Sequence, residues 1–129
     1  MHKLLAVTLI VLSAPSLATC WIVEGVSGSN YAKSESYKRL EDGYSGKFSI
    51  IIDGKRASVL YDGIDAGGMF YQALSKNTVI GVSGEPNKHA METWLIQDDG
   101  RVLMTKTLSG FGGFDSAKAM VGKVTGSCN

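Results

Sequence analysis

Two cysteines, Cys20 and Cys128, are the residues whose chemistry the sequence constrains most. They lie near the two ends of the chain that remains after removal of a predicted signal peptide, residues 1–18. An even number of cysteines in an exported protein favours a disulfide. We therefore expect Cys20 and Cys128 to be bonded, which joins the ends of the domain and removes both thiols as nucleophiles or metal ligands.

Residues 1–18 have the features of a secretory signal peptide. Lys3 supplies a positive charge, residues 4–12 form an apolar run, and small residues precede a cleavage site after Ala18. The run is less than half of the roughly 20 residues that a membrane-spanning helix needs. We predict a single mature domain of residues 19–129, exported to the periplasm or exterior of a bacterium, with no membrane span.

Cys20 also has an alternative interpretation. Residues 17–20, Leu-Ala-Thr-Cys, are close to the motif that precedes a lipid-modified cysteine in bacterial lipoproteins. Thr19 fits that motif poorly, and lipidation of Cys20 would leave Cys128 as a lone thiol in an oxidising compartment. The disulfide is favoured, and a lipid-anchored structural component of the envelope is kept as the alternative.

Glu24 is the carboxylate that the sequence places best for acid and base chemistry. It follows the apolar residues 21–23 in a predicted strand, whereas Asp53 and Asp99 are explained by turns. A carboxylate-dependent hydrolase would need Glu24 to be buried, with a second carboxylate roughly 5 to 9 Å away. That enzyme is an alternative function, although an outward-facing strand carboxylate is the favoured structural interpretation.

Most other chemistries lack the residues they require. His89 is the single histidine after the signal peptide, so a multi-histidine zinc site is excluded, and no G-x-S-x-G elbow is present. Asp62 and Asp65 are too few acids for a calcium loop. A net charge of +1 gives no basis for nucleic-acid binding. The sequence predicts no metal, no cofactor and no nucleic-acid partner.

The remaining candidates for a binding site are apolar. Phe111 and Phe114 lie in the glycine-rich residues 109–116, where they either fold over one end of the domain as a plug, which we favour, or stay exposed for a partner. Met69 and Phe70 are expected at the same rim.

The two tryptophans that follow the signal peptide, Trp21 and Trp94, occupy apolar positions in predicted strands. They either fill the interior of the domain, which is the default, or line an internal cavity.

The elements that position these residues are short strands with alternating polarity, separated by turn residues. Three hairpins are predicted, over residues 48–61, 69–83 and 93–107, with turns at Asp53-Gly54, at residues 75–77 and at Asp99-Gly100. In the last hairpin Trp94 and Ile96 fall on one face of the strand.

An opening strand over residues 20–27 and a closing strand over residues 119–127 bring the total to about eight. Residues 30–46 are polar and are predicted to form a long loop with one helical turn around residues 36–40.

The predicted fold is therefore an all-β antiparallel meander. A disulfide between its first and last strands favours a closed barrel over a two-sheet sandwich, because closure removes both sheet edges. An interior of eight strands is just wide enough to be packed or to hold one small ligand.

By exclusion, the predicted function is a non-enzymatic binding module. It would take a small apolar ligand in the barrel interior, or a protein target at the rim loops. The sequence leaves the oligomeric state open.

Overall fold

A computed structural model describes residues 18–65 and 67–128 of the chain. The predicted signal peptide lies outside the described residues, except for Ala18. Within the described residues the chain forms nine β-strands and two 3₁₀ helices of three residues each. The strands are β1 (Thr19–Ala32), β2 (Arg39–Gly43), β3 (Phe48–Asp53), β4 (Arg56–Tyr61), β5 (Met69–Ser75), β6 (Thr78–Ser83), β7 (His89–Ile96), β8 (Arg101–Ser109) and β9 (Ser116–Ser127).

Eight of the strands close into an antiparallel barrel. The order is β1-β3-β4-β5-β6-β7-β8-β9, and β1 pairs with β9 along its length from Trp21 to Ala32. The three predicted hairpins and the closed up-and-down barrel are confirmed. Among the described residues, no helix has the length and apolar character needed to cross a bilayer.

The strand β2 is an addition to the barrel that the sequence interpretation missed. The first part of β1 pairs with β3, and its second part, from Ser27 to Tyr31, pairs with β2. The change of partner occurs at a register shift between Glu24 and Ser27, where Gly25 has a φ of 65° that favours glycine.

The prediction of a long loop over residues 30–46 is therefore wrong for most of that segment. The β1 strand continues to Ala32, a 3₁₀ helix covers Lys33–Glu35, and β2 follows. The segment is polar because its side chains are mostly exposed, and β2 obtains its order from backbone pairing to β1.

The two ends of the barrel differ in their connections. At one end the strands are joined by the short turns at residues 54–55, 76–77 and 97–100. At the other end the connections are mostly longer, at residues 33–38, 44–47, 62–68, 84–88 and 110–115. We call these the disulfide end and the loop end.

The predicted disulfide between Cys20 and Cys128 is present, with a Cα–Cα distance of 5.2 Å. It joins the start of β1 to the residue after β9. Because Cys20 is bonded to Cys128, its sulfur is not available for a lipid anchor in this structure. An intramolecular disulfide indicates folding in an oxidising compartment.

Apolar side chains pack the lumen towards the disulfide end. The alternation predicted for β7 is confirmed: Ala90, Glu92, Trp94 and Ile96 are buried and the residues between them are exposed. Trp94 is 1% exposed. The core around it includes Val23, Ile50, Ile52, Val79, Val102 and Met104.

The barrel wall has a weak seam between β4 and β5. Among the described residues, these strands pair at one position, Arg56 with Gln72, and one further backbone bond joins Ala73 N–H to the Lys55 carbonyl at 3.0 Å. Both contacts lie towards the disulfide end. The two strands therefore separate as they approach the loop end.

Candidate functional site: a cavity at the loop end of the barrel

A cavity of about 200 Å³ occupies the lumen above the packed core. Its walls include five aromatic side chains, and we call it the mouth cavity: Tyr44, Phe48, Tyr61, Tyr71 and Trp94. Val59 and Tyr61 from β4 and Met69 and Tyr71 from β5 also line it, so the cavity lies directly behind the weak seam.

Four of these rings form one contact cluster. The Phe48 ring lies 4.7 Å from Trp94 and 4.8 Å from Tyr61, measured between centroids, and Tyr44 lies 5.1 Å from Phe48. The rings are tilted or edge-on to one another, as aromatic pairs prefer. The Tyr61 hydroxyl is held by the Gly46 N–H at 2.9 Å. This cluster gives the cavity a fixed aromatic wall.

The polar side of the mouth cavity is built around Glu92, which is 4% exposed. One carboxylate oxygen accepts hydrogen bonds from the Trp94 indole N–H at 2.5 Å and the Tyr71 hydroxyl at 3.1 Å. The other oxygen lies 3.3 Å from the Lys106 ammonium. A buried carboxylate is stable only when it is paired in this way. We call these four residues the Glu92 cluster.

The strand geometry explains how the cluster forms. On β7, Glu92 is two residues before Trp94 and so shares its inward face. In the register of β7 with β8, Lys106 is directly opposite Glu92. Residues directly opposite on an antiparallel pair share a face, so Lys106 also points inwards.

Tyr71 reaches Glu92 across an intervening strand. Gly81 on β6 lies between them in the ladder, paired with both. A Cβ at position 81 would lie 2.6 Å from the Tyr71 ring, so only glycine leaves room for the ring here. Burial, and secondarily the negative charge of Glu92, raise the pKa of Tyr71 above its ordinary value, which keeps its hydroxyl protonated as a donor.

A second interior lysine lies beside the first. Lys118 on β9 is directly opposite Lys106, and its ammonium lies 3.3 Å from the Asp42 carboxylate and 5.3 Å from the centroid of the Tyr44 ring. Asn30 donates to the same Asp42 carboxylate at 3.1 Å. The loop end of the lumen is therefore polar and charged, in contrast to the apolar disulfide end.

Of the residues predicted for binding, some line the mouth cavity and others lie elsewhere. Trp94 and Met69 line the mouth cavity. Trp21 is half-buried and packs against the core next to Cys20, and it is not among the residues that line the cavity. Phe70 points outwards and is 69% exposed, because alternation along β5 turns it away from Met69 and Tyr71.

The favoured interpretation of the phenylalanine loop as a plug is wrong for Phe114, which is 79% exposed. The loop forms a 3₁₀ helix, Gly112–Phe114, whose position is set by Asp115. The Asp115 carboxylate accepts the Phe111 N–H at 2.6 Å, and its carbonyl accepts the Lys33 N–H at 2.8 Å. Phe111 is half-buried and, with Met69 and Lys106, lines an opening beside the mouth cavity.

Glu24, the carboxylate singled out from the sequence, lies away from the cavity. Its side chain is partly exposed, lies 3.8 Å from the Lys47 ammonium and accepts a hydrogen bond from the Thr125 hydroxyl. This exposure and the ion pair with Lys47 match the outward-facing strand carboxylate that was favoured.

The carboxylates of Asp62 and Asp65 accept hydrogen bonds from backbone N–H groups at the loop end. The Asp62 carboxylate accepts the Lys47 N–H at 2.9 Å, and that of Asp65 accepts the Gly67 N–H at 2.8 Å. Within the described parts of the chain, no group of three or more His, Cys, Asp or Glu side chains could hold a metal ion.

Sequence reasoning missed the tyrosines and the buried ion pair of the mouth cavity: Tyr44, Tyr61, Tyr71, Glu92 and Lys106. For Glu92 a signal existed, because the alternation that placed Trp94 inside also places Glu92 inside. A buried acid on a strand is the informative exception to the usual surface position of glutamate.

Comparison of the chain with protein-family models, with curated proteins and with solved structures finds no significant match. The functional argument therefore rests on the geometry of the mouth cavity.

Proposed function

We propose that this protein is a non-enzymatic binding protein that holds one small, largely apolar ligand in the mouth cavity. The observation that carries the proposal is a cavity of about 200 Å³ with an aromatic wall, above a lumen that is otherwise packed. A dry apolar cavity of about 150 Å³ is enough to bind benzene. The size suits a ligand with one ring and a small substituent.

The contacts of Glu92 support binding rather than catalysis. Both carboxylate oxygens have donors, from Trp94, Tyr71 and Lys106, so the contacts of the group are made within the protein. A general base needs a lone pair directed at the substrate. Glu24 has no place in the cavity, so we do not propose the hydrolase centred on it.

The disulfide supports an exported location for this activity. It favours the periplasm or the exterior of the cell, which agrees with the signal peptide predicted for residues 1–18. The intact mass of the purified protein tests both points, since acylation of Cys20 would add far more mass than the two hydrogens lost in a disulfide.

Titration with benzyl alcohol tests the binding proposal. We expect saturable binding with a change in Trp94 fluorescence, because that indole forms part of the cavity wall. Val59→Phe should abolish binding by filling the cavity. The matched control is Val82→Phe, which adds the same atoms at an exposed position on β6. Equal binding by the two variants would refute the proposal.

A second candidate, binding of a protein target at the rim, is favoured by the exposure of Phe114. Phe114→Ser should change the free energy of unfolding by less than about 0.5 kcal/mol, as exposed substitutions usually do. Phe111→Ser should cost more, because its ring is half-buried against the opening beside the cavity. Chemical denaturation of the two variants measures this, and equal costs would show that Phe114 also packs.

A further inference from the structure

The arrangement of charges around the mouth cavity carries information about the ligand. Four charged side chains lie on successive strands at the loop end. Glu92 on β7 is followed by Lys106 on β8 and Lys118 on β9. Asp42 on β2 is the fourth, and β1 lies between β9 and β2. The two lysines are neighbours on adjacent strands. Each has its carboxylate partner on the side away from the other lysine.

This order places two lysines directly opposite each other in the β8–β9 ladder, while the carboxylate that pairs with each ammonium lies on the outer side of the pair. Like charges directly opposite each other in a ladder are destabilising. Lys106 is 28% exposed and Lys118 is 18% exposed at the side chain, so water screens their repulsion only in part. A negative group between the two lysines would remove that repulsion.

Lys106 also has donor capacity that the protein does not use. An ammonium group has three N–H donors, and within the described residues Lys106 makes an ion pair with a single Glu92 oxygen. Lys106 lines both the mouth cavity and the adjacent opening bordered by Phe111. Its remaining donors are therefore placed where a bound molecule would lie.

The acidic residues of the cavity do not offer an equivalent site for a cation. Glu92 already accepts two hydrogen bonds at one oxygen and the Lys106 ammonium at the other. Asp65 lies at the exposed rim, where its carboxylate already accepts the Gly67 N–H.

We propose that the ligand of the mouth cavity is a small ring-bearing carboxylate. Its ring lies against Phe48, Tyr61 and Trp94, and its carboxylate accepts hydrogen bonds from Lys106 beside Lys118. Lys118 does not itself line the mouth cavity, and its ammonium acts from behind the Tyr44 ring, which lines the cavity and lies 5.3 Å from that ammonium. This inference rests on the proposed binding function.

Three probes with the same ring and different head groups test it: benzoate, benzyl alcohol and benzylamine. Calorimetric titration should give a Kd for benzoate that is about tenfold or more lower than that for benzyl alcohol, because an ammonium–carboxylate hydrogen bond is stronger than a neutral one. Benzylamine should bind most weakly. The advantage of benzoate should shrink as salt is added.

Two variants identify the groups responsible. Lys118→Met should weaken the binding of benzoate several-fold and leave that of benzyl alcohol unchanged. Lys123→Met is the matched control on the same strand, at an exposed outer position, and should change neither. Since Lys106→Met alone would leave Glu92 buried without its cation, the double variant Lys106→Met/Glu92→Gln is used, and it should remove the preference for benzoate.

The outcomes separate the two proposals. Equal binding of benzoate and benzyl alcohol would overturn the carboxylate inference and leave the binding function standing. Tightest binding of benzylamine would overturn it in favour of a cationic ligand. Failure of all three probes to bind would overturn both proposals, and an equal loss of all three in Lys118→Met would overturn the role given to that ammonium.

Discussion

Glu92 shows how one buried charge organises its neighbours. Its ion pair with Lys106 and its hydrogen bonds from Trp94 and Tyr71 offset the cost of removing the carboxylate from water. Removing a single partner from such a group leaves part of that cost uncompensated. The Glu92 cluster therefore holds three cavity side chains in one geometry.

Tyr71→Phe tests this arrangement at neutral pH. The variant keeps the ring and loses the hydrogen bond to Glu92, so we expect the free energy of unfolding to fall by about 1 to 3 kcal/mol. Urea denaturation measures the change. Tyr37→Phe is the control, because Tyr37 is exposed in the connection after β1.

The stability difference between the wild type and Tyr71→Phe is predicted to depend on pH. The pKa of Tyr71 is raised in the folded state above its ordinary value of 10.0, so its contribution to stability is complete below about pH 10. As the pH rises further, the unfolded chain loses the tyrosine proton first, and the contribution declines. The stability difference between wild type and Tyr71→Phe should therefore narrow above about pH 10. A difference that stays constant or widens would contradict the raised pKa.

At the scale of elements, loop length decides which side chains meet. A two-residue turn at Asp99-Gly100 would pair Glu92 with Thr107. The loop instead contains Asp98, Asp99 and Gly100, with Gly100 at a φ of 87°, and the Gln97 N–H donates to the Arg101 carbonyl at 2.9 Å. This single added residue places Lys106 opposite Glu92.

The seam between β4 and β5 is the weakest part of the wall. Backbone groups of alternate residues face each neighbouring strand. The Tyr61 N–H on β4 and the Ala73 N–H on β5 face the seam, as their bonds to Ile64 and Lys55 show. By alternation, the amides of Val59 and Tyr71 face the seam as well, in the part where the strands have separated.

Hydrogen exchange tests the seam. We expect the amide protons of Val59 and Tyr71 to exchange at least about tenfold faster than those of Leu60 and Gln72. The latter two are controls in the same strands, and their amides face the intact ladders with β3 and β6. Equal protection of all four amides would show that the seam is closed in solution.

At the scale of the whole molecule, stability and binding are assigned to opposite ends. The disulfide end has short turns and an apolar core, and the loop end has the long connections, the charges and the cavity. A scaffold of this kind carries a site on its loops while the strands keep their order. Changes at one end are expected to have little effect on the other.

Replacement of both cysteines by serine tests how much of the stability the disulfide end supplies. The disulfide closes a separation of 108 residues, for which loop entropy gives a loss of about 4 to 5 kcal/mol on removal. The strand content should remain, because β1 and β9 are also paired by backbone hydrogen bonds from Trp21 to Ala32. Denaturation monitored by circular dichroism measures both quantities. A protein without strand structure before denaturant is added would show that the disulfide is required for closure.

Local patterns in the sequence determined most of the fold. Alternation of polar and apolar residues and turn residues such as Asp99-Gly100 act over a few positions, so the three hairpins and the inward position of Trp94 could be read directly. The parity of Cys20 and Cys128 then indicated closure. Residues 30–46 were misread because β2 is an exposed strand, and an exposed strand lacks an apolar face.

The site was decided by the tertiary structure. Alternation shows which residues share a face, but the opposing residue depends on loop length and bulges, as with Lys106 and Glu92. Whether the inward side chains fill the lumen depends on eight strands at once, including the separation of β4 from β5. Such a cavity is a property of the closed barrel, and no local segment of the chain contains it.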